Sequence, residues 1–521
     1  MKTFALILTA FLFSYTTACA QPGILDGDFD ADGKVTTNVA VDRYERASAL
    51  LVQPDSKIIA VGYARGNTTA YDIAVVRYNI DGSLDNSFSV NGMLTTDVAD
   101  NNDYGYDAAL QADGKIVVVG TTGMSPRRMI AVRYNADGTL DGSFGTNGMV
   151  ILDSPETENF TGEGIVIQPD GKICLAGRAF LSSSLFLVAR LNTDGSLDNT
   201  FSVDGILTST FGDGTSSAYA IALQTDGKIV VAGDLSWWEG PILMRHLAVA
   251  RFNTDGTLDM EFDTDGRVLV SFGSSGFFCR DMTIQNDGKI VLVGYSNNSF
   301  ALARLNTDAS IDNTFSVDGR VITAIGIDES YGRAIAIQAD NKILAAGNTS
   351  NTAIGEEEFA LVRYNSDGTL DNTFSLDGRT TIEFGNNDAS AYSVAIQPNG
   401  RIVVGGISRD VSSSEFAVAR FISGVNIGIL DFAVDNGSVV VYPNPIEENS
   451  ILKYQLEKDE VLSCHVYDMN GKLVQTLFSS QKRQRGQHTE ALGTASALPS
   501  GNYLLQLDNG TDSFSLKVTR P

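Results

Sequence analysis

Adjacent tryptophans are the first residues whose type suggests chemistry. Trp237-Trp238-Glu239-Gly240-Pro241 holds both tryptophans of the chain, with His246 downstream. Two indoles in a polar loop suit stacking on a sugar ring or on a partner's apolar patch. A second set recurs at one spacing, five residues before a repeated Gln: Ser48, Tyr106, Glu163, Tyr219, Arg280, Arg333 and Tyr392. Glycoside cleavage needs two carboxylates roughly 5–9.5 Å apart. Glu163 offers one, and Asp107 and Asp281, each one residue beyond a member of the set, offer partners. The run Asp28-Phe29-Asp30-Ala31-Asp32-Gly33 imitates the first half of a calcium-binding EF-hand loop, but its twelfth position is Val39 where a bidentate Glu is needed. It reads as a turn. Three histidines, His246, His465 and His488, lie in separate contexts, and no G-x-S-x-G, H-E-x-x-H, C-x-x-C or P-loop follows residue 20. The expectation is no catalytic residue, no metal and no cofactor.

These candidates sit on a repeat. L-D-x-x-F-x-x-D/N-G occurs at Leu25–Gly33, Leu84–Gly92, Leu140–Gly148, Leu197–Gly205, Leu258–Gly266 and Leu370–Gly378, with an Ile variant at Ile311–Gly319. Q-x-D-G-K-I and its variants begin at Gln53, Gln111, Gln168, Gln224, Gln285, Gln338 and Gln397. An apolar strand ends in Arg77, Arg133, Arg190, Arg251, Arg304, Arg363 and Arg420. Each unit reads as four short strands joined by tight turns, so the fold class is all-β, a seven-bladed β-propeller over 23–423. The chain opens on one L-D-x-x-F segment and leaves the repeats without one. The stretch 33–39 should therefore supply the outer strand of the last blade and hide the sheet edges. Residues present in every blade are assigned to the framework, each Arg gripping its Asp bidentately. The spacing from the second-strand Gly to Arg varies from 10 (Gly294 to Arg304) to 18 (Gly233 to Arg251), which places the variable loops on one face, the expected binding face.

The three motifs resemble the delta-60 repeat family of bacterial proteins. That resemblance implies a propeller and no particular activity. Beyond a linker at 424–437, residues 438–521 read as a small β-sandwich of immunoglobulin-like kind, with hairpin turns at Asn470-Gly471 and Asn509-Gly510. This part resembles the C-terminal sorting domain of the type IX secretion system of Bacteroidetes, through Tyr442-Pro443-Asn444-Pro445, the 466–474 segment VYDMNGKLV, Leu498-Pro499-Ser500-Gly501-Asn502-Tyr503 and the closing Lys517-Val518-Thr519-Arg520. It implies passage through the periplasm, contact with the type IX machinery, removal of the domain, and release or attachment at the cell surface. A basic stretch, Lys482-Arg483-Gln484-Arg485, reads as a solvated loop.

Residues 1–20 read as a signal peptide, with an apolar run from Phe4 to Phe13 and Ala18-Cys19-Ala20 as the cleavage site. A lipoprotein reading through Cys19 would need an apolar residue at Thr16. No later segment is apolar for the length of a membrane span. The remaining cysteines, Cys174, Cys279 and Cys464, are too sparse for a disulfide framework. With 37 Lys+Arg against 63 Asp+Glu, a net charge of −26 argues against nucleic acid or an anionic membrane as partner. The leading expectation is a secreted or surface-attached, non-enzymatic binding propeller for a glycan or an extracellular protein. Its site would draw on Trp237, Trp238, Tyr106, Glu163, Tyr219, Arg280, Arg333 and Tyr392. The alternatives are a polysaccharide hydrolase or lyase acting at the channel mouth, and a structural surface protein.

Overall fold

Short β-branched runs bounded by Asp-Gly turns leave each segment long enough for one strand and no more. The computed structural model describes residues 22–424 and 440–520, apart from short stretches at 41–43, 66–69, 100–101, 125, 153–158, 181–182, 274–275, 327–328, 352–354, 386–387, 443–449, 457–458, 469–472, 493–497, 499–500 and 509–512. The signal peptide, most of the linker and the turns at Asn470-Gly471 and Asn509-Gly510 lie outside the described residues. Seven four-stranded antiparallel sheets follow one another as propeller blades. In blade 4 the strands run from the channel outward as Thr215–Leu223, Ile229–Glu239, Ile242–Phe252 and Arg267–Val270. The turn between the first two carries Gly227 at φ 85°, a conformation open to glycine.

The ring closes with its own N-terminal strand. Lys34–Thr37 pairs with Ser414–Phe421 as the outer strand of blade 7, and Leu25 bridges Phe421. The inter-blade layers are filled by Ile, Val, Leu and Ala at zero exposure, with one Phe of each L-D-x-x-F segment fully buried, from Phe29 to Phe374.

A charged node recurs in all seven blades. In blade 1, Arg77 Nε donates to Asp85 Oδ2 at 2.7 Å, and Arg77 Nη1 donates to the Ala136 carbonyl of the next blade at 2.6 Å. The guanidinium lies 4.6 Å over the Phe88 ring, and Lys57 Nζ stands 3.0 Å from the same Asp85 oxygen. The expected bidentate grip is therefore corrected. Nε alone holds the aspartate, because the other nitrogens reach Ser87 and the neighbouring blade. The last node belongs to both chain ends of the propeller: Arg420 Nε donates to Asp26 Oδ2 at 2.8 Å, while Arg420 Nη1 donates to the carbonyl of Ile80 in blade 1.

In the C-terminal part, a three-stranded sheet (Val440–Tyr442, Ile451–Leu456, Gly486–Ala491) and a four-stranded one (Leu473–Arg483, Glu460–Asp468, Gly501–Asp508, Ser513–Arg520) share one core. Leu452, Tyr454, Leu462, Cys464, Leu505 and Val518 all belong to it. The basic stretch is corrected in part: Arg483 ends a strand and pairs with Glu490 at 2.8 Å, so cross-strand pairing and not solvation places it.

Asp198→Ala should leave the buried Arg190 and half-buried Lys172 without their shared acceptor. A loss of about 3–5 kcal/mol is expected, read as a melting temperature lower by several degrees in a domain of this size. The nodes also predict acid sensitivity. The Ser143 hydroxyl, against burial, with the Ser143 amide, Arg133 and Lys115, holds Asp141 down at about 2. A carboxyl lowered in the folded state stabilises it above its unfolded pKa of about 4, and that stability is lost as pH falls toward 2. Thermal melts from pH 5 to pH 2 should show a steep decline below about pH 4; a flat profile would contradict the node.

Candidate functional site at the channel mouth

The seven positions singled out before each Gln share one structural cause. In every blade the pairing of the first and second strands shifts register by one residue, and the skipped residue is Ser48, Tyr106, Glu163, Tyr219, Arg280, Arg333 or Tyr392. A β-bulge re-aims the extra side chain out of the ladder. Here it turns one residue per blade toward the channel. The bulge also explains the Gly that ends each second strand. A Cβ on Gly62, Gly120, Gly177, Gly233, Gly294, Gly347 or Gly406 would sit 1.8–2.0 Å from the carbonyl oxygen two residues before the bulged residue. Only glycine leaves room for that oxygen.

The same register puts the start of the first strand beside the end of the second, so the bulges and the connections between strands two and three occupy one face. Four of the ring residues form an arc with Arg46. The Arg280 guanidinium lies 5.0 Å from the Tyr219 ring centroid, Arg333 4.6 Å from that of Tyr392, and Arg46 3.6 Å from the same Tyr392 ring. On the other arc Tyr106 stacks on Tyr104 at 6.0 Å, and Arg178 Nη2 stands 3.7 Å from Glu163 Oε1. Ser48 is buried at the rim. Burial pushes the Glu163 carboxyl up against the pull of Arg178, Arg46 and Arg280. Burial, then Glu163, pushes the Tyr106 hydroxyl up.

Asp107 and Asp281 are engaged elsewhere. Asp107 Oδ2 accepts the Ile165 amide of the next blade at 3.0 Å and Oδ1 its own neighbour Ala108 at 2.8 Å. Asp281 repeats this with Ile335 at 3.0 Å and Met282 at 2.7 Å. Burial lifts both carboxyls to about 7, and Asp107 adds to the effect on Asp281. They stitch blades together beneath the ring.

The tryptophans belong to a different place. The long spacing of blade 4 is absorbed by two strands of eleven residues each, so the expected polar loop is a ribbon with Gly240-Pro241 at its tip. Cross-strand alternation then separates the pair. Trp237 packs edge-on to His246 at 4.8 Å and against the buried cluster around Leu235 and Phe186. Trp238 is 69% exposed, opposite Leu243. The two rings border a cavity of about 520 Å³ with Phe211, Leu235, Leu243 and Leu269, none of them a ring residue.

Residues that the sequence reading passed over complete the mouth. Directly after each second-strand Gly come Tyr63, Thr121, Arg178, Asp234, Tyr295, Asn348 and Ile407. Several hold ring members: Arg178 with Glu163, Tyr295 Oη 3.2 Å from Arg280 Nη2, and Asn348 Oδ1 2.9 Å from Arg333 Nε. Variation beside an invariant Gly was the available signal. Among the described residues, Asp72, Asp97 and Asp103 bring carboxylate oxygens within 4.8 Å of one another. Burial, then the charges of Asp97 and Asp103, raises Asp72 to about 6, while Asp103 Oδ2 accepts the Val98 amide at 2.6 Å.

Seven stretches, 53–88, 111–144, 168–201, 224–262, 285–315, 338–374 and 397–422, match the model of the DUF5122 beta-propeller domain, in phase with the seven blades. The chain carries seven DUF5122 beta-propeller repeats. Residues 440–519 match the secretion system C-terminal sorting domain. That domain marks the DUF5122 propeller for export through the type IX secretion machinery, to the outer surface or the medium. No curated protein matches the chain. Among solved structures it is similar to PorZ, a surface component of the type IX secretion system of Porphyromonas gingivalis, at 12% identity and TM-score 0.39, over 96% of this chain and 60% of that one. The chain thus spans less than two thirds of PorZ. An ulvan lyase of family PL25 gives 12% identity and TM-score 0.43 over 75% of this chain and 96% of that one. Drosophila Semaphorin 1b gives 9% and 0.38 over 77% and 87%.

The bulge can be tested at two glycines of one propeller. Gly177→Ala places a Cβ 1.9 Å from the Thr161 carbonyl oxygen, whereas a Cβ at Gly142 meets nothing within 4 Å. Gly177→Ala should destabilise by about 3 kcal/mol or more, and Gly142→Ala should leave the melting temperature within a degree or so of the parent. Equal melts for the two would show that the bulge does not require glycine.

Proposed function

We propose that the DUF5122 propeller is an exported, non-enzymatic binding protein whose ligand, a glycan or an extracellular protein, is held at the channel mouth. Residues 1–20 serve as its export signal, 23–423 as the binding propeller, 424–437 as a linker and 438–521 as the address read by the type IX machinery. One observation carries this reading. The seven blades repeat their nodes, glycines and bulges, while the side chain that the bulge delivers to the mouth varies among four residue types: Ser48, Tyr106, Glu163, Tyr219, Arg280, Arg333, Tyr392. A scaffold that conserves the delivery of a side chain but varies its identity is suited to recognition. Trp238 supplies a second exposed aromatic surface on the blade 4 ribbon, and Trp237 supports that ribbon from within.

The enzymatic alternative draws on Glu163, whose carboxyl is held in its protonated form more readily than a free one. Its expected partners, Asp107 and Asp281, each accept two backbone amides. A general base so engaged has little freedom to activate water.

Binding of the purified protein to an array of glycans and extracellular proteins, beside the Tyr106→Ala/Tyr219→Ala variant, tests the proposal. Ligands of the parent should bind the variant about tenfold or more weakly, at an unchanged melting temperature. Ligands that bind both equally would refute the mouth as the site. Release of new reducing ends or unsaturated sugars from polysaccharide, lost in Glu163→Gln, would establish the enzymatic alternative instead.

A further inference from the structure

Arginine is used in two opposite ways in this propeller. The node arginines are each matched to an aspartate in their own blade, at 2.6–2.8 Å. Arg46, Arg280 and Arg333 at the mouth are not. Among the described residues none of the three forms an ion pair, although the chain carries 63 acids to 37 bases. Their contacts are neutral. Arg280 donates to the Cys279 carbonyl at 3.0 Å and to the Tyr295 hydroxyl at 3.2 Å. Arg333 donates through Nε to Asn348 Oδ1 at 2.9 Å, and Arg46 Nε is buried without a hydrogen-bond partner.

They are also close together. Arg46 and Arg333 lie over the one ring of Tyr392, at 3.6 and 4.6 Å from its centroid, and Arg280 comes from the blade next to that of Arg333. Burial, then the charges of Arg46 and Arg280, weigh against the charged form of Arg333, while Tyr392 and Glu357 favour it. Around the mouth the order is Tyr219, Arg280, Arg333, Tyr392, Arg46, so that tyrosine faces hold three guanidiniums in place. Like charges gathered with no acid in ion-pair contact among the described residues, and fixed by cation–π contacts, make a site prepared for an anion. The nearby acids have arginines of their own: Asp234 is paired with Arg245 at 2.9 Å, and Glu163 stands 3.7 Å from Arg178, its carboxyl pushed up by burial.

We infer that this arc binds an oxyanion, and that the ligand is a saccharide bearing carboxylate or sulfate groups. The inference rests on the binding reading above and adds the chemistry of the ligand. Saccharide is favoured over acidic peptide by the lining. The mouth offers guanidiniums, phenol hydroxyls and ring faces from Tyr63, Tyr104, Tyr106 and Tyr219, which suit a polyhydroxylated ring.

Titration calorimetry of the whole protein with tetragalacturonate, its methyl ester, a sulfated galactose tetrasaccharide and tetraglutamate tests this. Binding of one or both charged saccharides is expected, the carboxylate and sulfate arms telling the two sources apart. The methyl ester should bind about tenfold or more weakly, and added salt should narrow that gap. Arg280→Gln and Arg46→Gln, each checked by its melting curve, should weaken the charged saccharide to a similar degree. Arg280→Lys should retain part of the affinity, since it keeps the charge and loses only the planar fork. Equal affinity for the methyl ester, equal or better binding of tetraglutamate, indifference to the Arg substitutions, or no binding of any of the four would overturn the inference. A neutral glycan captured through Tyr106 and Tyr219 on the array would meanwhile leave the binding reading standing.

Discussion

The whole ring depends on a buried aspartate that accepts two cations at once. In each blade the Asp of L-D-x-x-F takes a hydrogen bond from an Arg on the third strand and faces a Lys, or Arg401 in blade 7, from the turn just before the second. The same Arg continues to a turn carbonyl of the next blade. Burying such charges is costly unless every donor and acceptor is matched, and this makes the node selective. A blade shifted by one residue would strand an arginine inside a layer of Phe and Val. Strand register, blade-to-blade spacing and closure of the circle are thus set by one repeated constellation. Its seventh copy joins Asp26 to Arg420, which lie 394 positions apart.

Nodes and bulges sit at opposite ends of the blades. The turn face carries aspartates that cap their own turns, as Asp81 does for Ser83 and Asp137 for Thr139, with carboxyls lowered chiefly by those hydrogen bonds. Much of the −26 charge comes from such turn chemistry repeated in every blade. It says little about the ligand. The mouth face instead gathers Arg46, Arg178, Arg280 and Arg333 around Glu163 and Asp234, so charge is distributed differently on the two faces. Net charge was informative about class of partner only while its distribution was unknown.

The mouth shows how a symmetric scaffold produces an asymmetric surface. The bulge and its glycine are the same in all blades, and neither depends on the residue delivered. That side chain is therefore free to change without loss of the fold. Just beneath, Asp107, Asp281 and Ser393 bond the backbone of the following blade at three of the seven junctions. The channel is consequently polar at some junctions and lined by alanine or glycine at others. Variation at this depth is tied to assembly, whereas variation at the ring is available to ligand.

Much of this was legible along the chain. Seven copies of three motifs determined the number of blades, and the unmatched L-D-x-x-F at the start determined which strand closes the circle, because both are matters of local pattern and count. The ring residues were visible as odd polar positions in apolar strands, as was the assignment of the repeated Arg and Asp to the framework. Tertiary structure decided the rest. The bulge that aims the ring, the clash that demands the second-strand glycine, the reach of each Arg into the next blade and the division of Trp237 from Trp238 all depend on which backbone lies opposite. So does the lack, among the described residues, of an acid in ion-pair contact with Arg46, Arg280 or Arg333. A periodic sequence specifies its strands through neighbours a few residues apart, but the partners of these groups come from the adjoining strand or the next blade. They are defined only once antiparallel pairing and ring closure have set the distances through space.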